Sequence, residues 1–177
     1  MADEITFGGV LLAEYEQLKQ EQRARIGFRD NLIYVNLASM AAILVAILSA
    51  KGHVNLLLLL PAANVVLGWT YLANDEKISA IGHYVRCDLG PRLAAVTSDD
   101  PAFGWETVHR SDARRVSRKF LQLGVDLATF VGPATAALLV FWASGYPGVI
   151  LVCVSVLETA AVGVLAWQIV AYSDLTT

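Results

Sequence analysis

Charged side chains are spread unevenly along this chain, and the gaps between them divide it. Residues 31–50, 54–73, 120–143 and 149–172 hold almost none. Each gap is about 20 residues or longer, the length an α-helix needs to cross the hydrocarbon core of a bilayer. None shows the polar stripe of a helix that lies half in water. The pattern predicts an all-α, polytopic membrane protein with four transmembrane helices. It places an N-terminal helical segment at 1–30, a central helical region at 74–119 and a short tail at 173–177. Between 10 and 28, Leu11, Tyr15 and Leu18 recur at helical spacing, with Ile26 extending the apolar side. After the second span, Ile78, Ile81 and Val85 continue a helical pattern that Gly90–Pro91 is expected to end. The run "TSDDPAFGWE" reads as turns, and Ser111 as the N-cap of the third helix. Pro61 and the pair Gly132–Pro133 are expected to kink the second and third spans.

Composition agrees with this division. The chain has 177 residues, of which 56% are hydrophobic and only 16% charged, against about a quarter charged in soluble domains. Lysine and arginine then set the orientation. Lys19, Arg23, Arg25 and Arg29 precede the first span, and Lys77, Arg86, Arg92, Arg110, Arg114, Arg115, Arg118 and Lys119 lie between the second and third. The other side has Lys51 alone. The positive-inside rule therefore predicts cytoplasmic termini and a cytoplasmic central region. The acidic opening "MADEITFGG" lacks the positive start of a secretory signal, so the first span is expected to be retained. Trp69, Tyr71, Trp167 and Tyr172 are expected at the inner interface, and Trp142 and Tyr146 at the outer one. Cys87 and Cys153 fall on opposite sides in this topology and are not expected to pair.

Polar residues inside the spans are the candidate functional groups. Counting about 1.5 Å per residue from the outer end puts Glu158, Asn64 and Ser39 near the bilayer centre. Asp126, Asn36 and Thr70 form a second layer nearer the cytoplasm on the same count. A carboxylate facing lipid at mid-bilayer costs about 3 kcal/mol on insertion scales, so such groups turn inward or find a partner. Two readings follow. Glu158 is hydrogen-bonded to Asn64 as interhelical glue, or Glu158, Asn64, Asn36, Asp126 and Ser39 line a pore or gate. Asp126 also has a simpler reading, in which it reaches water or Lys119. Ala38, Ala42, Ala46 and Ala50 lie four apart in the first span, a small-residue face on which a second helix can approach closely.

Outside the spans, Arg110, Arg114, Arg115, Arg118 and Lys119 make a basic cluster suited to phosphate groups. The same residues serve equally as ordinary positive-inside anchors. The region as a whole carries as many acidic as basic residues, which argues against a broad nucleic-acid groove. The sequence has no Cys/His zinc spacing, no glycine-rich phosphate loop and no nucleophile elbow. No metal, cofactor or catalytic residue is expected, and the chain reads as a non-enzyme.

Three stretches, "RDNLIYVNL" at 29–37, "LGWTYLANDEKISAIGHY" at 67–84 and "WETVHRSDARR" at 105–115, resemble a group of small four-span bacterial integral membrane proteins common in actinobacteria. Proteins of that build occur as membrane effectors of anti-phage defence systems, in which a small nucleic-acid signal controls the inner membrane. The resemblance implies a multi-pass protein of the bacterial inner (plasma) membrane and assigns no residue a role. Together the readings give a first expectation of a homo-oligomeric effector or ion channel, gated through its cytoplasmic region by an anionic nucleotide or oligonucleotide. The alternative is a non-conducting anchor or scaffold that recruits a cytoplasmic protein partner. A small transporter is a weaker third, since no inverted repeat is visible.

Overall fold

The structure, a computed structural model, describes residues 6–49, 53–97, 115–145 and 148–173. Every element among them is helical: α1 (Phe7–Ser49), a 3₁₀ turn (Val54–Leu58), α2 (Leu59–Tyr84), a π turn (Val85–Leu89), α3 (Gly90–Thr97), α4 (Arg115–Asp126), a second π turn (Leu127–Val131), α5 (Gly132–Ala143) and α6 (Val149–Tyr172). Joined end to end, these make four helices long and apolar enough to cross a membrane: Phe7–Ser49, Val54–Val96, Ser117–Ala143 and Val149–Tyr172. The chain is an all-α protein with the build of a multi-pass membrane protein.

Two boundaries differ from those the sequence suggests. The segment at 10–28 and the first span are one helix of 43 residues, about twice what a span requires. And Gly90–Pro91 does not end the second helix. A proline inside an α-helix lacks the N–H that would bond four residues back, and its ring collides with that carbonyl. Here the turn before it is widened to π bonding, with the Gly90 N–H donating to the Val85 carbonyl. The residue before a proline is normally driven out of the helical region by its own Cβ. Gly90 has none and stays helical at φ −59°, ψ −51°. The third span repeats the device. Its π turn ends with the Gly132 N–H on the Leu127 carbonyl, Gly132 is helical at φ −55°, ψ −56°, and Pro133 follows. Pro61 is the third residue of α2, directly after the 3₁₀ turn, so its missing donor falls where one bonding pattern gives way to another. The expected cap at Ser111 lies outside the described residues.

The chain divides into two compact units: residues 1–28 with 74–115, and residues 29–73 with 116–177. In the first, the Leu11–Tyr15–Leu18 stripe of α1 packs on Ile81, Tyr84, Val85, Leu89 and Leu93. Polar bonds flank this seam. Gln22 Nε2 donates to the Ile78 carbonyl (3.3 Å), Arg25 Nη1 to Asn74 Oδ1 (3.4 Å), and the Tyr84 hydroxyl to Glu14 Oε1 (2.7 Å). The N-terminal stretch is therefore a helix lying on its own protein.

In the second unit, Leu32, Tyr71, Phe130, Leu165 and Ile169 form one core cluster, with a residue from each of the four spans. Leu58, Ala134, Leu138, Phe141 and Val162 form another from the last three spans. Gly68 sits where α2 meets its neighbours: a Cβ there would lie 2.9 Å from Leu165 Cδ2 and 3.2 Å from Phe130 Cβ. Ala38, Ala42 and Ala46 are exposed, so among the described residues no helix packs on the small-residue face. Ala50 is outside the described residues, as are Lys51 and Tyr146. Trp69, Trp142, Trp167 and Tyr172 are exposed, whereas Tyr71 is buried and is no interface anchor.

Two outcomes are expected from this packing. Gly68→Val should cost about 1–3 kcal/mol through overpacking, read as a lower thermal unfolding midpoint in detergent. Gly163→Ala, with nothing within 4 Å of its added Cβ, should leave the midpoint near that of the parent. The second outcome concerns pH. The bond to Glu14 and burial raise Tyr84 above its ordinary pKa of 10.0. A pKa raised on folding means that this stabilisation is complete below pH 10 and is lost as pH rises through the higher folded value. The phenolate difference spectrum between parent and Tyr84→Phe should accordingly titrate above pH 10; titration at or below 10 would show that the bond to Glu14 is not kept.

Candidate functional site

Helical spacing decides which polar residues turn inward. On α6 the buried residues are Ser155, Val162, Leu165 and Ile169, a repeat of three and four that carries Glu158 on the same face. On α2 the buried stripe is Leu60, Pro61, Asn64, Gly68 and Tyr71. On α1 it is Leu32 and Asn36. Three helices thus bring polar side chains into one bundle.

Asn36 is fully buried, and its Nδ2 donates to the Thr129 carbonyl at 2.9 Å. Thr129 stands four residues before Pro133, so its carbonyl is the acceptor that an ordinary residue at 133 would have bonded. The Asn36 amide supplies that donor from another helix. The Thr135 hydroxyl donates to the neighbouring Val131 carbonyl at 2.8 Å. Side chains therefore donate to two carbonyls of the turn that precedes the proline.

Asn64 and Glu158 are different. Asn64 is fully buried, and neither Nδ2 nor Oδ1 has a hydrogen-bond partner among the described residues. Glu158 is half-buried, and its Oε2 is enclosed and likewise unpartnered. The Asn64–Glu158 hydrogen bond expected from their common depth is absent. Equal depth fixes height in the bilayer and says nothing about the register in which two helices pack. Asn36 Oδ1 is also enclosed without a partner. Ser155 was not singled out by the sequence, although its place three residues before Glu158 puts it on the same stripe. It is fully buried, and its hydroxyl donates to the Val152 carbonyl at 2.9 Å.

Two members of the expected layers make hydrogen bonds within their own helix. The Ser39 hydroxyl donates to the Asn36 carbonyl (2.8 Å) and the Thr70 hydroxyl to the Val66 carbonyl (2.8 Å). Asp126 accepts the Tyr71 hydroxyl, and the Gln122 amide donates to the Tyr71 oxygen. The Arg29 guanidinium lies 5.9 Å from the Tyr71 ring centroid and pairs with Asp30 at 3.1 Å. Asp126 therefore belongs to a cluster that joins the first three spans, a role the sequence did not show because Tyr71 was read as an interface anchor.

Of the basic cluster, Arg110 and Arg114 lie outside the described residues, as does the side chain of Arg115. Arg118 is exposed and Lys119 half-buried. Among the described residues no group of three or more His, Cys, Asp or Glu is placed to hold a metal ion.

The role of Asn36 can be measured. Asn36→Leu should cost about 1–3 kcal/mol by leaving the Thr129 carbonyl without a donor. Adding Pro133→Ala, which restores an N–H, should recover part of that loss. Thermal unfolding of the two single variants and the double variant gives the coupling; strict additivity would show that the two residues do not serve the same carbonyl. No protein family, curated protein or solved structure matches the chain.

Proposed function

We propose that the chain is the protomer of an oligomeric inner-membrane channel, an effector whose polar interior passes cations when several copies assemble. The observation that carries this reading is the pair Asn64 and Glu158, whose enclosed polar atoms have no partner among the described residues. Each such atom costs about 1–3 kcal/mol. Intramembrane carboxylates are costly and mark ion or substrate paths. One bundle, filled by Phe130, Phe141 and Leu165, encloses little space, so a path needs further copies. The exposed alanines at 38, 42 and 46 suit that assembly, since small residues let helices pack closely.

In this reading the basic residues Arg110, Arg114, Arg115, Arg118 and Lys119 face the cytoplasm and take an anionic signal, a nucleotide or oligonucleotide. Gating requires that ligand to bind one conformation more tightly than the other. No catalytic step is invoked. A second reading, a non-conducting anchor that recruits a soluble protein, is favoured by the first unit, where Phe7, Val10, Leu12 and Val96 are exposed.

Ion flux in liposomes containing only the purified protein separates the two, with and without added short oligonucleotides. A channel should conduct cations in preference to anions, and Glu158→Gln should reduce that preference. Vesicles that stay sealed under every condition would end the channel reading and leave the anchor.

A further inference from the structure

α1 ends at Ser49 and the next helix begins at Val54, so the first two spans run antiparallel. One contact fixes their register: the Arg29 guanidinium lies 5.9 Å from the Tyr71 ring centroid. Seven residues of α-helix fall about 20° short of two full turns and rise about 10.5 Å, which returns to the same face. Asn36 comes seven residues after Arg29, and Asn64 seven before Tyr71. Both intervals are regular α-helix. In an antiparallel pair the two steps go the same way, so the contact of 29 with 71 recurs as 36 facing 64. The third span holds that level. Asn36 bonds the Thr129 carbonyl, the next residue, Phe130, lies against Gly68, and Gly68 is one turn from Asn64. Both asparagines are fully buried. Yet Asn36 Oδ1 and both amide atoms of Asn64 have no hydrogen-bond partner among the described residues, so the two side chains stand level without a direct bond.

We propose that Asn36 and Asn64 form an internal water site between the first and second spans. The unused groups select the ligand. Asn36 gives its Nδ2 to the Thr129 carbonyl, so it offers the site an acceptor, Oδ1. Asn64 offers a donor and an acceptor. Whatever binds must therefore both donate and accept. A metal cation would serve the oxygens alone and leave Asn64 Nδ2 unbonded, and the two amides carry no charge to balance it. An anion would serve Nδ2 and oppose both oxygens. Water does both and is neutral. It accepts from Asn64 Nδ2 and donates to Asn36 Oδ1, which bridges the two spans. A buried water takes roughly two to four polar partners, and the three unpartnered amide atoms meet that need. The site goes beyond the channel reading and does not depend on it.

The test is NMR of the full chain with isotope-labelled asparagine in deuterated detergent, reading cross-relaxation between side-chain amide protons and water. The Asn64 amide is expected to show a water cross-peak of opposite sign in the laboratory and rotating frames, the mark of water that tumbles with the protein rather than of proton exchange. In Asn36→Leu that peak should be lost. If Asn36→Leu does not fold, the thermal unfolding midpoint of Asn64→Leu carries the test. Displacing a bridging water strands Asn36 Oδ1 and should lower the midpoint, whereas replacing an unbonded buried amide by leucine would raise it. No Asn64–water peak in the parent, a peak unchanged in Asn36→Leu, or a higher midpoint in Asn64→Leu overturns the proposal. The peak together with sealed liposomes supports the site and removes the channel. Conductance without the peak does the reverse.

Discussion

A proline inside a membrane-spanning helix leaves one carbonyl without a donor, and hydrocarbon supplies no water to replace it. The bond from Asn36 to the Thr129 carbonyl meets that demand. It does so from another helix, so satisfying a local defect also fixes how the first span sits against the third. The cluster of Leu32, Tyr71, Phe130, Leu165 and Ile169 gathers beside it, with Leu32 one turn before Asn36 and Phe130 next to Thr129. Apolar packing between helices has little driving force in lipid, because acyl chains are as apolar as leucine. A directional bond to a defined carbonyl selects one arrangement where packing alone would tolerate several.

The interior therefore treats its polar groups in two ways. Asn36, Tyr71 and Asp126 are used to join helices, each through at least one defined bond. The enclosed polar atoms of Asn64 and Glu158 have no hydrogen-bond partner among the described residues. The contrast separates framework from candidate site better than polarity does, since all five residues look alike as interruptions in apolar runs.

Much of this architecture was legible in the sequence. Charge-free runs gave the four spans, because crossing hydrocarbon constrains composition over about 20 residues at once. The stripe Leu11, Tyr15 and Leu18 did turn toward a neighbour. What could not be read depends on azimuth and register. Gly90–Pro91 looked like a stop, because proline normally is one, and the widened turn that accommodates it leaves no compositional mark. Counting residues placed Asn64 level with Glu158, yet no hydrogen bond joins them. Tyr71 fitted an aromatic belt by position and was claimed instead by Asp126. The anion-site candidates at 110–115 fall almost wholly in a stretch whose structure is not described, so their grouping rests on the sequence.

The two widened turns also change how residues must be counted along their helices. Each adds one residue to a turn without lengthening the helix by a matching step, and so sets the angular phase of everything beyond it back by about 100°. In the third span, the face that presents Asp126 and the face that presents Phe141 cannot be related by a single 3.6-residue wheel. A straight wheel drawn across Leu127–Val131 would assign lipid and protein sides wrongly on one half. Removing one residue from that turn would restore a single wheel and leave the outer half of the span facing its present neighbours.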